Sequence, residues 1–290
     1  MIYEFEKEKL KFKVASKGAE LKELVCDGIN YIWCSDPKYW DFSAPVLFPI
    51  IGKLKDLETT IKGKKYSMPQ HGLLRHMEFN KKEETSNSVS FECMYDEKQL
   101  DKYPFKFKVI ITYTVLNNAL KTEFKVINVD KDEIYFNIGG HPGINCPLYD
   151  GEKFEDYTIY FETGEKFESP KVMMNATLNF DEPVLGYNEL HRLNLKKEMF
   201  YIDTIIIKDV KSRRVDLVNK SGKGVRFSFD GFKNFAIWTP HNDAPFICLE
   251  PWQGYNDLYN TKGTYEEKAN LVFLNKDEEY TCSYTIELLK

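Results

Sequence analysis

The sequence of 290 residues contains no apolar run near the roughly 20 residues needed to cross a bilayer. Its start, Met1 to Lys13, alternates charged with apolar residues and does not build the apolar segment of a signal peptide. These absences lead us to expect a cytoplasmic chain with no membrane partner. Charge of one sign is also missing: 40 basic residues face 45 acidic ones, for a formal charge of -5, with no clustered basic stripe of the kind that phosphate-backbone binding requires. Nucleic acid is therefore not an expected partner. The six cysteines, at 26, 34, 93, 146, 248 and 282, show no paired metal-ligand spacing, and several lie in apolar runs where a thiol acts as a small hydrophobe. A two-histidine zinc pattern, a phosphate-cradling loop and a dinucleotide fingerprint are all absent. Lys220 to Gly224 has the composition of a phosphate loop, but the residues after it alternate as a strand, so it reads as a hairpin turn.

Helical periodicity is scarce too, apart from a short turn at Asp36 to Asp41 where Asp36 is placed to cap. What the chain has instead is period-two alternation and many aromatics, 21 Phe and 18 Tyr, which fit a pleated surface. Leu10, Phe12 and Val14 alternate with lysines. Val89, Phe91, Cys93 and Tyr95 share one face, and Phe105 to Val115 continue the pattern. Asn117-Asn118 then breaks it, and Leu120, Thr122, Phe124 and Val126 resume it, the signature of a hairpin. Further strands are expected at Tyr157–Phe161, Thr204–Lys208, Arg214–Val218, Val225–Phe229, Phe235–Trp238, Phe246–Leu249 and Tyr280–Leu288. No linker, low-complexity tract or repeat divides the chain, so the expected architecture is all-β, one large antiparallel sandwich over residues 1–290.

Three segments interrupt the strands with unusual chemistry: Pro69-Gln70-His71-Gly72-Leu73-Leu74-Arg75, Gly139-Gly140-His141-Pro142-Gly143 running to Leu148, and Leu249-Glu250-Pro251-Trp252-Gln253-Gly254. The glycine pair before His141 permits unusual backbone angles and close approach of a ligand. The plain structural alternative is a tight turn with an exposed imidazole. Glu250 is expected at the end of an apolar strand beside Trp252, where desolvation lifts a carboxyl toward the range of a general base. The alternative is a structural ion pair with Arg75 or Lys53. Trp238 and Trp252 offer flat faces to the C–H side of a sugar ring, or are simply core. His76, His191 and His241 read as surface residues.

Taken together, and with Ser43 to Pro49 and Gly151 to Tyr157, the three segments resemble the aldose 1-epimerase family over nearly the whole chain. The resemblance implies a galactose-mutarotase-like supersandwich that interconverts the α and β anomers of an aldose without metal or organic cofactor, as a monomer or homodimer. It further implies His141 as general acid, Glu250 as general base, and His71, Arg75 and Asp203 as sugar contacts; Trp252, read from its flat ring, is expected to add another. Lys53 stands where many relatives carry arginine, which keeps the charge but loses the planar two-pronged donor. Two other expectations stay open. Lys53 and Arg75 could hold the phosphate of a hexose 6-phosphate, or the fold could serve a carbohydrate-binding or sensor protein without catalysis.

Overall fold

The computed structural model describes all 290 residues, 53% of them in strands and 7% in helical turns. The alternating segments pair as the pattern predicts. Phe107–Leu116 and Ala119–Asn128 form an antiparallel hairpin in which Leu116 faces Ala119, and Asn117 takes a positive φ of 56° at the turn. Phe107, Val109, Ile111, Tyr113 and Val115 are all buried, while the residues between them are partly exposed. The hairpin sits inside a nine-stranded antiparallel sheet. In spatial order its strands are Leu178–Asn194, Tyr157–Val172, Arg214–Asn219, Gly224–Asp230, Glu279–Leu289, Ala119–Asn128, Phe107–Leu116, Ser88–Met94 and Asn80–Glu84. Residues 220–223 form the expected turn between Arg214–Asn219 and Gly224–Asp230.

A six-stranded sheet lies against this one, with Phe246–Gln253 near its centre between Asn234–Trp238 and Ile138–Gly140. Aromatic contacts join the two layers. Phe235 stacks on Phe229 at 4.7 Å, and Phe48 meets Phe107 edge-on at 4.9 Å. A four-stranded N-terminal sheet packs on the other end of the large sheet, where Phe5 and Tyr3 touch Phe91. One cluster of 69 buried apolar residues runs through all three sheets. It is the all-β sandwich that the alternation and the aromatic content predict.

Several local expectations need correction. Strand Tyr157–Val172 is far longer than the five residues read from its pattern, and its partner Leu178–Asn194 was not anticipated. That partner is an edge strand whose side chains are mostly exposed on both faces, so no burial imposes the period-two signal. The Asp36 segment, by contrast, is the short turn expected: its carbonyl accepts from the Tyr39 and Trp40 amides, and its carboxylate caps the turn by accepting from Lys38 N–H. The only α-helical turn, Glu97–Leu100, is instead capped by Asp96 and Gln99 acting reciprocally. No helix is long and apolar enough to cross a membrane.

Candidate active site

The middle strand of the six-stranded sheet supplies the carboxyl group. Strand Phe246–Gln253 is buried at every position, and Glu250 lies inside it, not at its end, because Pro251 and Trp252 continue the pairing with Phe235 and Asn234. Glu250 makes neither of the ion pairs proposed with Arg75 or Lys53. Its Oε2 lies 3.2 Å from Nε2 of His141. The contact is not aligned as a hydrogen bond, and Oε2 has no other partner. Both side chains are buried, with Glu250 only 1% exposed and His141 7%.

His141 follows directly on strand Ile138–Gly140, which pairs with Phe246–Gln253 and carries the imidazole across to the carboxyl group. The two glycines do a different job from the one expected. Both keep ordinary extended backbone, and their small size admits protein neighbours in place of a ligand. A Cβ on Gly140 would lie 2.8 Å from the Tyr284 ring, and one on Gly139 would lie 3.0 Å from the Pro251 carbonyl oxygen. The His141 ring stacks on Trp40 at 4.8 Å and 30°, and meets Trp238 edge-on at 5.6 Å. Its Nδ1 is buried without a partner.

Burial sets the charge state of the pair. Desolvation raises the Glu250 carboxyl well above its usual range, with the Trp252 indole N–H opposing and Asp203 reinforcing the rise. The same desolvation pushes His141 down to about 3, with its backbone raising and Arg75 lowering the value. Both shifts favour the uncharged form, of the carboxyl and of the imidazole alike. The two groups pull stability in opposite directions with pH. His141, whose folded value lies below the ordinary 6.5, contributes stability that is present above about 6.5 and lost as pH falls toward about 3, whereas the raised Glu250 contributes stability that is lost as pH rises above 4.5. The urea midpoint at pH 7 minus that at pH 4 should therefore be lower, sign included, in His141→Asn than in the parent protein.

His71 closes the next side of the site, with its ring edge-on to His141 at 5.4 Å. It sits at a positive φ of 63°, held by its own N–H bond to the Gly52 carbonyl at 2.7 Å. The Gly52 N–H in turn donates to His71 Nδ1 at 3.1 Å, which fixes that nitrogen as an acceptor and leaves the proton of the neutral ring on Nε2. Burial lowers the ring well below the usual imidazole range, with the cationic form of His141 and the charges of Arg75 and Lys53 acting in the same direction. Next to His71 the glycine at 72 is obligatory: φ is 75°, and a Cβ would stand 2.3 Å from the Phe48 carbonyl oxygen. Arg75 donates to the Gln70 carbonyl at 2.8 Å and lies over the Phe42 ring at 4.7 Å, while its Nε has no partner.

These groups line one cavity of about 290 Å³. His71, Arg75, His141, Asp203, Glu250 and Trp252 all border it, six of the seven residues read from the sequence. Asp203 lies at its exposed margin with φ 78°, its carboxylate accepting from the Thr204 hydroxyl at 2.8 Å. Lys53 is not on the wall; Gly52 is. The side chain of Lys53 makes no ion pair, and it reaches the site only through its charge, felt by His71. His76, His191 and His241 are exposed, as expected.

Sequence reasoning missed two parts of the wall. Trp40 was read only as part of a turn. Val172, Ala176 and Leu178, at the tip of the long hairpin, come from a region whose strand had no legible pattern. The tip is tied down by Asn256, whose amide donates to the Ala176 carbonyl at 2.7 Å, and by the Leu178 N–H bond to the Asp257 carbonyl at 2.9 Å. Asp257 is itself buried against Lys268 at 2.6 Å and also accepts from the Lys55 N–H at 2.9 Å. Asp257 thus ties stretches of chain together behind the pocket, Lys55 and Lys268 through its carboxylate and Leu178 through its main-chain carbonyl.

A family model described as aldose 1-epimerase matches residues 1–287. The chain belongs to the aldose 1-epimerase family. Protein LacX of Lactococcus lactis subsp. lactis, in its plasmid and chromosomal forms, is 33% identical to this family member over the whole length of both chains. Among solved structures, a galactose mutarotase related enzyme from Lactobacillus acidophilus superposes with a TM-score of 0.92 at 27% identity, covering 100% of this chain and 98% of the other. A galactose mutarotase-like protein from Lactobacillus casei gives 0.92 at 26% identity, covering 99% and 100%. The sandwich is therefore that of the galactose mutarotase-like proteins, and membership supports an isomerase-type enzyme acting on a sugar.

Proposed function

We propose that this aldose 1-epimerase family member interconverts the α and β anomers of a free aldose, with Glu250 and His141 as the paired proton-transfer groups. The observation that carries this reading is their 3.2 Å contact at the wall of a sugar-sized cavity. Ring opening requires O1 to lose a proton and O5 to gain one. The pair holds one proton to trade. Moving it from carboxyl to imidazole across the contact gives a carboxylate and an imidazolium, the base and acid that the reaction needs.

Glu250 then takes the O1 proton while the C1–O5 bond breaks, its electron pair moving to O5, which receives the His141 proton. C1 becomes an aldehyde carbon. Rotation about C1–C2 presents the other face of the carbonyl; O5 attacks C1, returning its proton to His141, and Glu250 reprotonates O1. Protons and electrons balance, and the pair ends as it began. His71, with a fixed N–H on Nε2, and Arg75 are placed to hold hydroxyls, and Asp203 to accept from one at the cavity margin. Trp40, stacked on His141, favours the imidazolium by cation–π attraction. Trp40→Leu should slow anomer exchange by about tenfold with little change in stability, read by polarimetry.

A free sugar fits the wall better than its 6-phosphate, because Arg75 is the only lysine or arginine bordering the cavity. The decisive experiment is a panel of free and 6-phosphorylated aldoses in an anomerisation assay on freshly dissolved sugar. Catalysis of free aldoses alone is expected; preference for the phosphates would overturn the substrate assignment, and sugar binding without exchange would reduce the chain to a binding protein.

A further inference from the structure

Cys248 is a buried nucleophile that the proposed reaction does not use. It lies two residues before Glu250 on the same strand, so both side chains leave the same face of the sheet. Behind it Trp33, Ala244 and Phe246 form a small apolar cluster. In front of it are the two groups of the catalytic pair. One donor atom each from His141, Cys248 and Glu250 lies within 4.8 Å of the others, and all three residues are buried. Glu250 Oε2, the oxygen that stands 3.2 Å from His141 Nε2, is buried without a hydrogen-bond partner.

A thiolate, an imidazole and a carboxylate make a donor set for a tetrahedral, thiophilic divalent cation. Donors around such an ion stand closer together than 4.8 Å, and the 3.2 Å spacing of His141 and Glu250 already meets that need. The fourth position would face the cavity that both residues line. We propose that His141, Cys248 and Glu250 form a latent binding site for zinc or a similar soft divalent cation, and that filling it switches the enzyme off by taking both catalytic groups. This inference uses the same two residues as the reading above and rests on it only for the inhibition, not for the binding.

Charge balance favours the exchange. The ion displaces two protons, one from the Cys248 thiol and one from the Glu250 carboxyl, so the site remains neutral overall. The charged and titratable groups facing it from other elements are His71, Arg75 and Asp203. Hard oxygen-seeking ions such as magnesium gain little from a thiolate and should not compete.

The test uses cobalt(II) as a coloured stand-in for zinc, on full-length protein with the exposed Cys34 changed to serine to remove a competing thiol. One equivalent of cobalt should produce a thiolate-to-metal charge-transfer band in the absence of sugar, and zinc should bleach it and inhibit anomer exchange, while magnesium does neither. Adding Cys248→Ala should abolish the band and weaken zinc inhibition by about 100-fold while leaving metal-free turnover unchanged. No thiolate band in the Cys248-containing protein, or equal zinc inhibition with and without Cys248, would overturn the proposal. A band in a protein with no epimerase activity would instead defeat the functional reading and leave the site standing.

Discussion

Glu250→Gln is expected to slow anomer exchange by about 10²- to 10⁴-fold while the protein stays folded. The glutamine keeps the shape of the side chain but can neither take a proton from O1 nor return it. Stability should hold because burial favours the uncharged carboxyl, which an amide replaces at nearly the same shape. The same logic applies to His141→Asn, which deletes the partner that exchanges protons with O5. Saturation-transfer NMR on a sugar at anomeric equilibrium reads the exchange directly, and near-parental rates in both variants would remove the assignment. A loss of rate with unfolding would point instead to a structural role, which circular dichroism separates.

Lys268→Met is expected to destabilise the protein by about 3–5 kcal/mol, because it strands Asp257 as a buried charge without its partner. Lys268 and Asp257 are 3% and 4% exposed at their side chains, too dry for water to replace the ammonium. The effect should also reach the pocket. Asp257 binds the Lys55 amide through its carboxylate and the Leu178 amide through its carbonyl, so its displacement loosens the hairpin tip that forms one wall. A drop in urea midpoint together with a raised KM is the expected result. The double variant Lys268→Met with Asp257→Leu should recover part of the lost stability, since an apolar pair leaves no charge unpaired. An unchanged midpoint in the single variant would mean that the pair contributes nothing.

The fold was legible wherever one face of a strand is buried and the other wet. Leu10, Phe12 and Val14, or Phe107 through Val115, alternate because the core demands it. Strand Leu178–Asn194 escaped notice because it lies at a sheet edge with few buried positions. The proposed pair was legible for another reason: His141 after two glycines and Glu250 before Pro-Trp belong to segments that together resemble the family's motifs. The glycines were read correctly as special and wrongly explained, since their requirement comes from Tyr284 and the Pro251 carbonyl, contacts invisible before the sheets are assembled. Trp40 was missed because a tryptophan in a turn carries no local sign of the imidazole it will stack on. Lys53 was promoted by its likeness to a family arginine, while its position beside the wall depends on how the chain turns at Gly52.

The hairpin formed by Tyr157–Val172 and Leu178–Asn194 reaches from the edge of one sheet to the rim of a pocket whose His141 and Glu250 are positioned by another. Insertions, deletions or exchanges at residues 173–177 would therefore reshape what enters while the reacting centre keeps its geometry. Grafting tips of differing length onto this scaffold offers a route to altered sugar preference at constant chemistry.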